Sequence, residues 1–265
     1  MATSDSTQGP RIQAIYRYPV KGLSPEPMPR VALSPGRPLP ADRLYAIENG
    51  PCGFDPAAPA YFPKIRFLML MRNERLAELR TAFDDATHTL AVTFERREAA
   101  RGDLRTPEGR EKIEKFFAEF CADELRGPPK ILSAPGHSFS DVAAKVVSII
   151  NLASVAKVED AVGGAVDPLR FRGNLYVDDM PAWSEFDLLG KTLAIGQTRL
   201  RVVKRIQRCA ATNVDPVTGI RDLNIPQTLM QSFGHADCGI YAEVLTGGEI
   251  AIGDRIEEAA PLLPL

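Results

Sequence analysis

Pro25, Pro27, Pro29 and Pro35 rule out a helix through one long stretch near the N-terminus, since each removes a backbone donor and fixes φ. The 22 prolines and 20 glycines of the chain extend the effect, leaving short apolar segments between turns. Arg11 to Pro19 reads as a strand, with Ile12, Ala14 and Tyr16 on one face and Gln13 and Arg17 on the other. Pro19-Val20-Lys21-Gly22 ends it and leaves Lys21 on a corner. Arg30 to Leu33 fits a short edge strand, Asp42 to Ile47 another strand, and Asn49 to Pro63 a surface loop. Further strands are expected over Phe67 to Met71 and Leu90 to Phe94, with a helical turn over Glu74 to Arg80.

A helix begins after Thr106, which can cap it ahead of Pro107. Ile113, Phe116, Phe117 and Phe120 form one stripe there, a core face by its spacing. Gly127-Pro128-Pro129 breaks the helix and marks passage into a second unit. Beyond it come a strand over Val146 to Ile150, a helix capped by Asn151 and stopped at Gly163-Gly164, and a strand from Leu169 to Val177. Trp183 to Leu188 reads as a turn or short helix, Lys191 to Ile195 as a strand, and Leu200 to Ile206 as a buried strand. Ile225 to Phe233 suits a helix. Ile240 to Leu245 and Glu249 to Ile256 suit a hairpin about Thr246-Gly247-Gly248. The expected class is α+β and β-rich: a barrel-like unit over residues 10–130 coupled to a second β-barrel unit over residues 131–258, with a few helices.

At 265 residues the chain can bury a sizeable core, and its net charge of -2 gives no reason to expect nucleic acid. Cys52, Cys121, Cys209 and Cys238 stand far apart without a CxxC pair, which argues against zinc ribbons, iron–sulfur domains and a disulfide scaffold. A reducing compartment follows. Met1 to Gly9 is polar and reads as a loose tail. No apolar run reaches membrane-spanning length, so a cytoplasmic location is expected.

The segment Arg205-Ile206-Gln207-Arg208-Cys209 delivers a thiol at the end of a basic, β-branched strand, and Asp215-Pro216-Val217-Thr218-Gly219 turns the chain just after it. A lone cysteine is ordinarily a small buried hydrophobe, so other residues must give it a role. Three chemistries stay open. One is a nucleophile served by His137 or His235, His88 being discounted for its place in an apparent hairpin turn; another is a redox pair with Cys238, and the third thiolate ligation of a soft metal. Arg208, with Arg201, Lys204 and Arg205, would favour the thiolate. Lys21, Arg43, Arg172 and Arg208 each sit at a strand end or turn, where side chains can gather round an anionic group.

Arg208-Cys209, Thr212 and Val214-Asp215-Pro216-x-Thr218-Gly219 together resemble the signature of MOSC-domain proteins, named for the C-terminal domain of molybdenum-cofactor sulfurase. Tyr18-Pro19-Val20-Lys21 and Asp42-Arg43 resemble the β-barrel that precedes MOSC in the amidoxime-reducing-component branch. Arg172-Gly173-Asn174, Trp183-x-Glu185, Gly239-x-Tyr241 and Gly253-Asp254 fit the same branch, and the resemblance spans about Arg11 to Glu257.

That resemblance implies a molybdenum cofactor (molybdopterin) with Cys209 as the thiolate ligand of molybdenum and the catalytic residue. Lys21, Arg43 and Arg172 would hold the pterin and its phosphate, with Arg208 and Tyr241 lining the pocket and Asn174 and Asp215 in supporting positions. Pyridoxal phosphate is not expected. The implied activity is reduction of N-hydroxylated compounds (amidoximes, hydroxylamines, N-hydroxylated bases). A separate electron-donor protein would serve it, with no membrane anchor and no nucleic acid. The alternatives are a cofactor carrier or sulfur-transfer protein without turnover, and a plain interaction module. Three departures stand out: Gly22 where a serine commonly follows the lysine, Gly173 in place of the usual proline, and Ala143-Ala144-Lys145 without a Thr-Ser pair. Lys145 could compensate for the last.

Overall fold

The computed structural model describes residues 9–260, so all of the polar tail before Gly9 lies outside the described residues. In chain order the strands and helices are β1 (Arg11–Arg17), β2 (Glu26–Met28), β3 (Arg30–Leu33), β4 (Ala46–Asn49), β5 (Arg80–Asp84), β6 (Thr89–Phe94), β7 (Arg97–Asp103), α1 (Pro107–Phe120) and β8 (Pro129–Leu132). There follow β9 (Val147–Asn151), α2 (Leu152–Val162), β10 (Leu175–Asp178), β11 (Thr192–Ile195), β12 (Thr198–Gln207), α3 (Ile225–Phe233), β13 (Asp237–Thr246), β14 (Gly248–Ala251) and β15 (Glu257–Ala259). The fold is α+β and rich in strands, as the proline and glycine punctuation requires.

Eight strands form one curled sheet in the order β15-β11-β12-β13-β9-β10-β1-β2. Within it β9 and β10 run parallel, joined through α2, and β10 pairs antiparallel with β1. The N-terminal strand is thus an inner member of the sheet built by the second half of the chain. The long antiparallel pair of β12 and β13 carries Cys209 just past its end. Ile12, Ile15, Ile149, Val177, Leu200, Val202 and Ile240 pack on one side of this sheet, and α2 and α3 cover Ile150, Tyr176, Ile206 and Cys238 on the other. A separate core lies under α1, where Ile113 and Phe117 meet Leu90, Val92 and Leu104. The Thr106 side chain accepts from the Gly109 N–H at 3.0 Å, so both the cap and the apolar stripe of α1 stand as expected.

Five local expectations change. A register shift between Ile12 and Ala14 breaks the alternation of β1, so that Ile12 and Ile15 share the core and Ala14 and Tyr16 face α2 and α3. Arg17 is then buried, bonded to Glu26 at 2.9 Å and to Asp85. Asp42 to Leu44 is a turn, because Arg43 takes a left-handed conformation (φ 50°) that ends extended pairing. The run Phe67 to Met71 is not a strand; Phe67 to Leu70 are buried, held by Leu68 N–H to Ile47 O and Met69 N–H to the Asn73 side chain. The stretch from Leu169 begins as a 3-10 turn over Pro168–Phe171, capped by Asp167, and becomes a strand only at Leu175.

Finally, β14 pairs with β3 rather than folding back on β13. Gly247 permits the pairing: a Cβ there would come within 2.6 Å of Leu33 O, so the two backbones approach too closely for any larger residue. Low apolarity hid the charged β7 and the three-residue β2 from pattern reading. Among the described residues no helix is long and apolar enough to cross a membrane.

Candidate functional site

Where the end of β12 meets the N-terminal half of the chain, a cleft of about 260 Å³ opens. Cys209, Lys21, Arg43, Arg172, Asn174, Arg208 and Tyr241 all line it. Cys209 is half-buried and extended, and its carbonyl accepts from both the N–H and the hydroxyl of Thr212, which turns the chain away and leaves the thiol at the cleft. Beyond it the Asp215 carboxylate accepts from the backbone of Val217 and Thr218 and from the Thr218 hydroxyl, closing the turn that Gly219 (φ 72°) completes. Asp215 therefore shapes the approach without lining the cleft.

The cation that reaches the thiol is Lys64, with Nζ 3.1 Å from Cys209 Sγ. Arg208 does not supply it: its guanidinium donates to Cys238 O at 2.7 Å and Phe171 O at 2.8 Å. Arg201 is equally committed, to Glu243 at 2.7 Å, and Arg205 lies over the Phe186 ring. Lys64 stands 145 positions before Cys209 in the chain, at the end of the Pro- and Gly-rich loop. No local pattern marks it.

Lys21 is buried, 5 % exposed at its side chain, and donates to Phe139 O at 2.8 Å and to Asp141. Lys64 reaches the other oxygen of the same carboxylate at 3.5 Å. Desolvation lowers the Lys21 ammonium from its ordinary value, with Asp141 opposing. For Asp141, desolvation acts upward, but Lys21 and Lys64 prevail and hold the carboxyl well below the usual carboxylate range.

Arg43 and Arg172 form the opposite wall. Each adopts φ 50°, a conformation uncommon outside glycine, and each guanidinium lies over the ring of buried Tyr18, at 4.6 Å and 4.2 Å. Arg43 bonds Asp42 and donates to Arg172 O at 3.0 Å, while Arg172 donates to Leu23 O at 2.9 Å. Burial lowers Arg172, reinforced by Arg43; at Arg43 burial is overcome by Asp42. Burial also raises the Tyr18 hydroxyl, against the pull of the two arginines. Asn174 is structural: its amide oxygen accepts from the N–H and hydroxyl of Ser148, and its amide nitrogen donates to Tyr16 O at 3.1 Å. It ties β9 and β1 together beneath the cleft.

Two departures at glycines now have reasons. Gly22 has φ 85°, and a Cβ there would meet Leu68 O at 2.9 Å, so a serine has no room in this backbone. Gly173 donates its N–H to Tyr176 Oη at 3.0 Å, and a Cβ would fall 2.2 Å from Ile150 Cγ1, so proline would lose a bond and clash. Lys145 lies with His137 in a neighbouring hollow that the Cys209 cleft does not include.

The competing chemistries lose their partners among the described residues. His88 is bonded to Tyr45 Oη at 2.7 Å, His137 packs on Phe54 and Phe139, and His235 packs on Trp183 and Phe186; none lines the cleft. Cys238 is free and wholly buried, its thiol pushed up to about 12 by desolvation. No group of three or more His, Cys, Asp or Glu side chains could hold a metal ion among the described residues. A metal at Cys209 would therefore take its other ligands from the group that carries it. Lys21, Lys64, Arg43 and Arg172 outnumber Asp42 and Asp141 around the cleft, so its donor set suits an anionic group with a thiophilic metal.

Residues 134–257 match the family model described as MOSC domain. No curated protein sequence matches the chain. Among solved structures it is similar to the YUAD protein from Bacillus subtilis, at 12% identity over 93% of each chain with a TM-score of 0.44. It is also similar to YiiM from Geobacillus stearothermophilus (19% identity, 43% of this chain and 54% of that one, TM-score 0.35). YiiM from Escherichia coli is comparable (18% identity, 45% and 56%, TM-score 0.33). The chain spans about half the length of the two YiiM structures. Residues 134–257, the segment that carries Cys209, Arg172, Arg208 and Tyr241, are thus the part of the chain that matches the MOSC domain model.

Proposed function

We propose that the Cys209 cleft binds a molybdenum cofactor and that the protein reduces N-hydroxylated small molecules, drawing electrons from a separate donor protein. The observation that carries this reading is the half-buried Cys209 thiol with an ammonium 3.1 Å away, in a cleft where cations outnumber carboxylates. When bound, the cofactor supplies the two-electron reduction of the N–O bond.

The chain's own residues bind and orient. Cys209 would give its sulfur to molybdenum, and Lys64 would stabilise the negative charge on that sulfur. Lys21 would hold the phosphate together with Arg43 and Arg172, whose guanidinium groups are already fixed against Tyr18 and so lose little freedom on binding. Arg208 and Asn174 keep the wall in place through backbone carbonyls and Ser148, and Tyr241 completes it. In this reading residues 10–130 supply Lys21, Arg43 and Lys64, and residues 131–258 supply the thiol.

Metal and pterin analysis of the full chain from a cofactor-competent host tests the binding; stoichiometric molybdenum is expected, and its absence defeats the reading. Reduction of benzamidoxime with a chemical electron donor tests turnover, and cofactor bound without turnover would instead indicate a carrier or sulfur-transfer protein. Cys209→Ser is expected to remove molybdenum and activity together while leaving the melting temperature nearly unchanged, because the structural bonds at this position use the backbone carbonyl.

A further inference from the structure

Asp141 is an odd neighbour for an anion site. Its side chain is 47% exposed, yet its two oxygens face Lys21 and Lys64, the first of which is nearly sealed from solvent. It stands in a stretch with no regular structure between β8 and β9, attached to the rest by Phe139 N–H to Arg43 O at 2.8 Å and by the Tyr61 hydroxyl donating to Asp141 O at 3.1 Å. A buried ammonium needs a counter-charge at all times. A half-exposed carboxylate, by contrast, can return to water once another anion compensates that ammonium.

We propose that Asp141 is a tethered internal counter-ion occupying the anion position of the cleft, and that an anionic ligand group enters by replacing it between Lys21 and Lys64. This rests on the cofactor reading above and adds a selection rule to it. A dianion, such as a phosphate monoester, restores more charge than the carboxylate it displaces, whereas a monoanion only exchanges like for like against a competitor held at high local concentration. Asp141 is therefore a specificity-determining residue: it excludes monoanions and keeps Lys21 compensated while no ligand is bound. The geometry also makes Lys64 the link between the two halves of the cleft, because one ammonium meets both the counter-ion and the thiol.

Calorimetric titration of the full chain, prepared from a host without molybdenum-cofactor synthesis, with inorganic phosphate, pyrophosphate and nitrate tests the proposal. Asp141→Asn should bind phosphate and pyrophosphate roughly tenfold more tightly than the unaltered chain and should acquire measurable nitrate binding. Lys21→Met should abolish the gain. Equal or weaker phosphate affinity in a folded Asp141→Asn variant overturns the proposal. A second measurement stands even if that variant fails to fold: in the unaltered chain, saturating pyrophosphate should speed hydrogen exchange of the backbone around 139–145 as the carboxylate is released, and unchanged or slower exchange overturns it too. Molybdenum content is read on separate preparations, so loss of the counter-ion role leaves the cofactor result standing, and an empty cofactor assay leaves the phosphate result standing.

Discussion

Arg208 spends its donors on backbone carbonyls, whereas Lys21 and Lys64 share one half-exposed carboxylate. Arg170 stands between these cases: it holds the half-exposed Asp222 through both terminal nitrogens, at 2.8 and 2.7 Å, but is also anchored by Asp215 and the backbone carbonyl of Asn213. Arg208 holds two backbone carbonyls across β13 and the 3-10 turn before Arg172. Charge near a thiol is therefore no guide to its use; what matters is whether the donors are already satisfied by atoms that cannot leave. Carbonyls of a strand cannot leave, and a carboxylate on an irregular, solvent-facing segment can.

Substitutions that separate the two groups give graded effects. Arg170→Met should cost the most, about 3 kcal/mol, because Asn213 O and the two carboxylates lose a buried charged donor although the carboxylates keep access to water; chemical denaturation would show it, and a loss under 1 kcal/mol would mean the network is not structural. Arg208→Met comes next, at roughly 2–3 kcal/mol, since the carbonyls of Cys238 and Phe171 lose charged donors. If Arg208→Met instead keeps its stability and loses only molybdenum, Arg208 belongs with the ligand-facing cations. Lys64→Met should change stability least, within about 1 kcal/mol, yet lower molybdenum retention on dialysis several-fold. Unaltered retention would remove Lys64 from the site.

The sheet-forming segments were legible wherever packing gave the sequence a period. The cap at Thr106, the stripe of α1, and the buried runs of β9, β12 and β13 follow from residue order alone. Reading failed where a non-local contact set the backbone. β14 pairs with the remote β3, an approach that Gly247 permits, and the bulge in β1 reassigns a face that the residue types leave ambiguous. Family resemblance to the MOSC pattern named Cys209, Lys21, Arg43 and Arg172 as partners, and the fold does bring them to one cleft.

Lys64 and Asp141 had no such signal. Each is an ordinary charged residue, Lys64 in the short 3-10 turn Lys64–Arg66 and Asp141 in an irregular segment, and their meaning comes from distances to groups remote in the chain. Sequence by itself determined a strand-rich chain with one thiol delivered at the end of a basic strand, because local periodicity and turn chemistry are properties of neighbouring residues. Only the tertiary structure decided which cation meets that thiol and which are locked away, because charge compensation depends on proximity in space and a linear order of residues carries none of it.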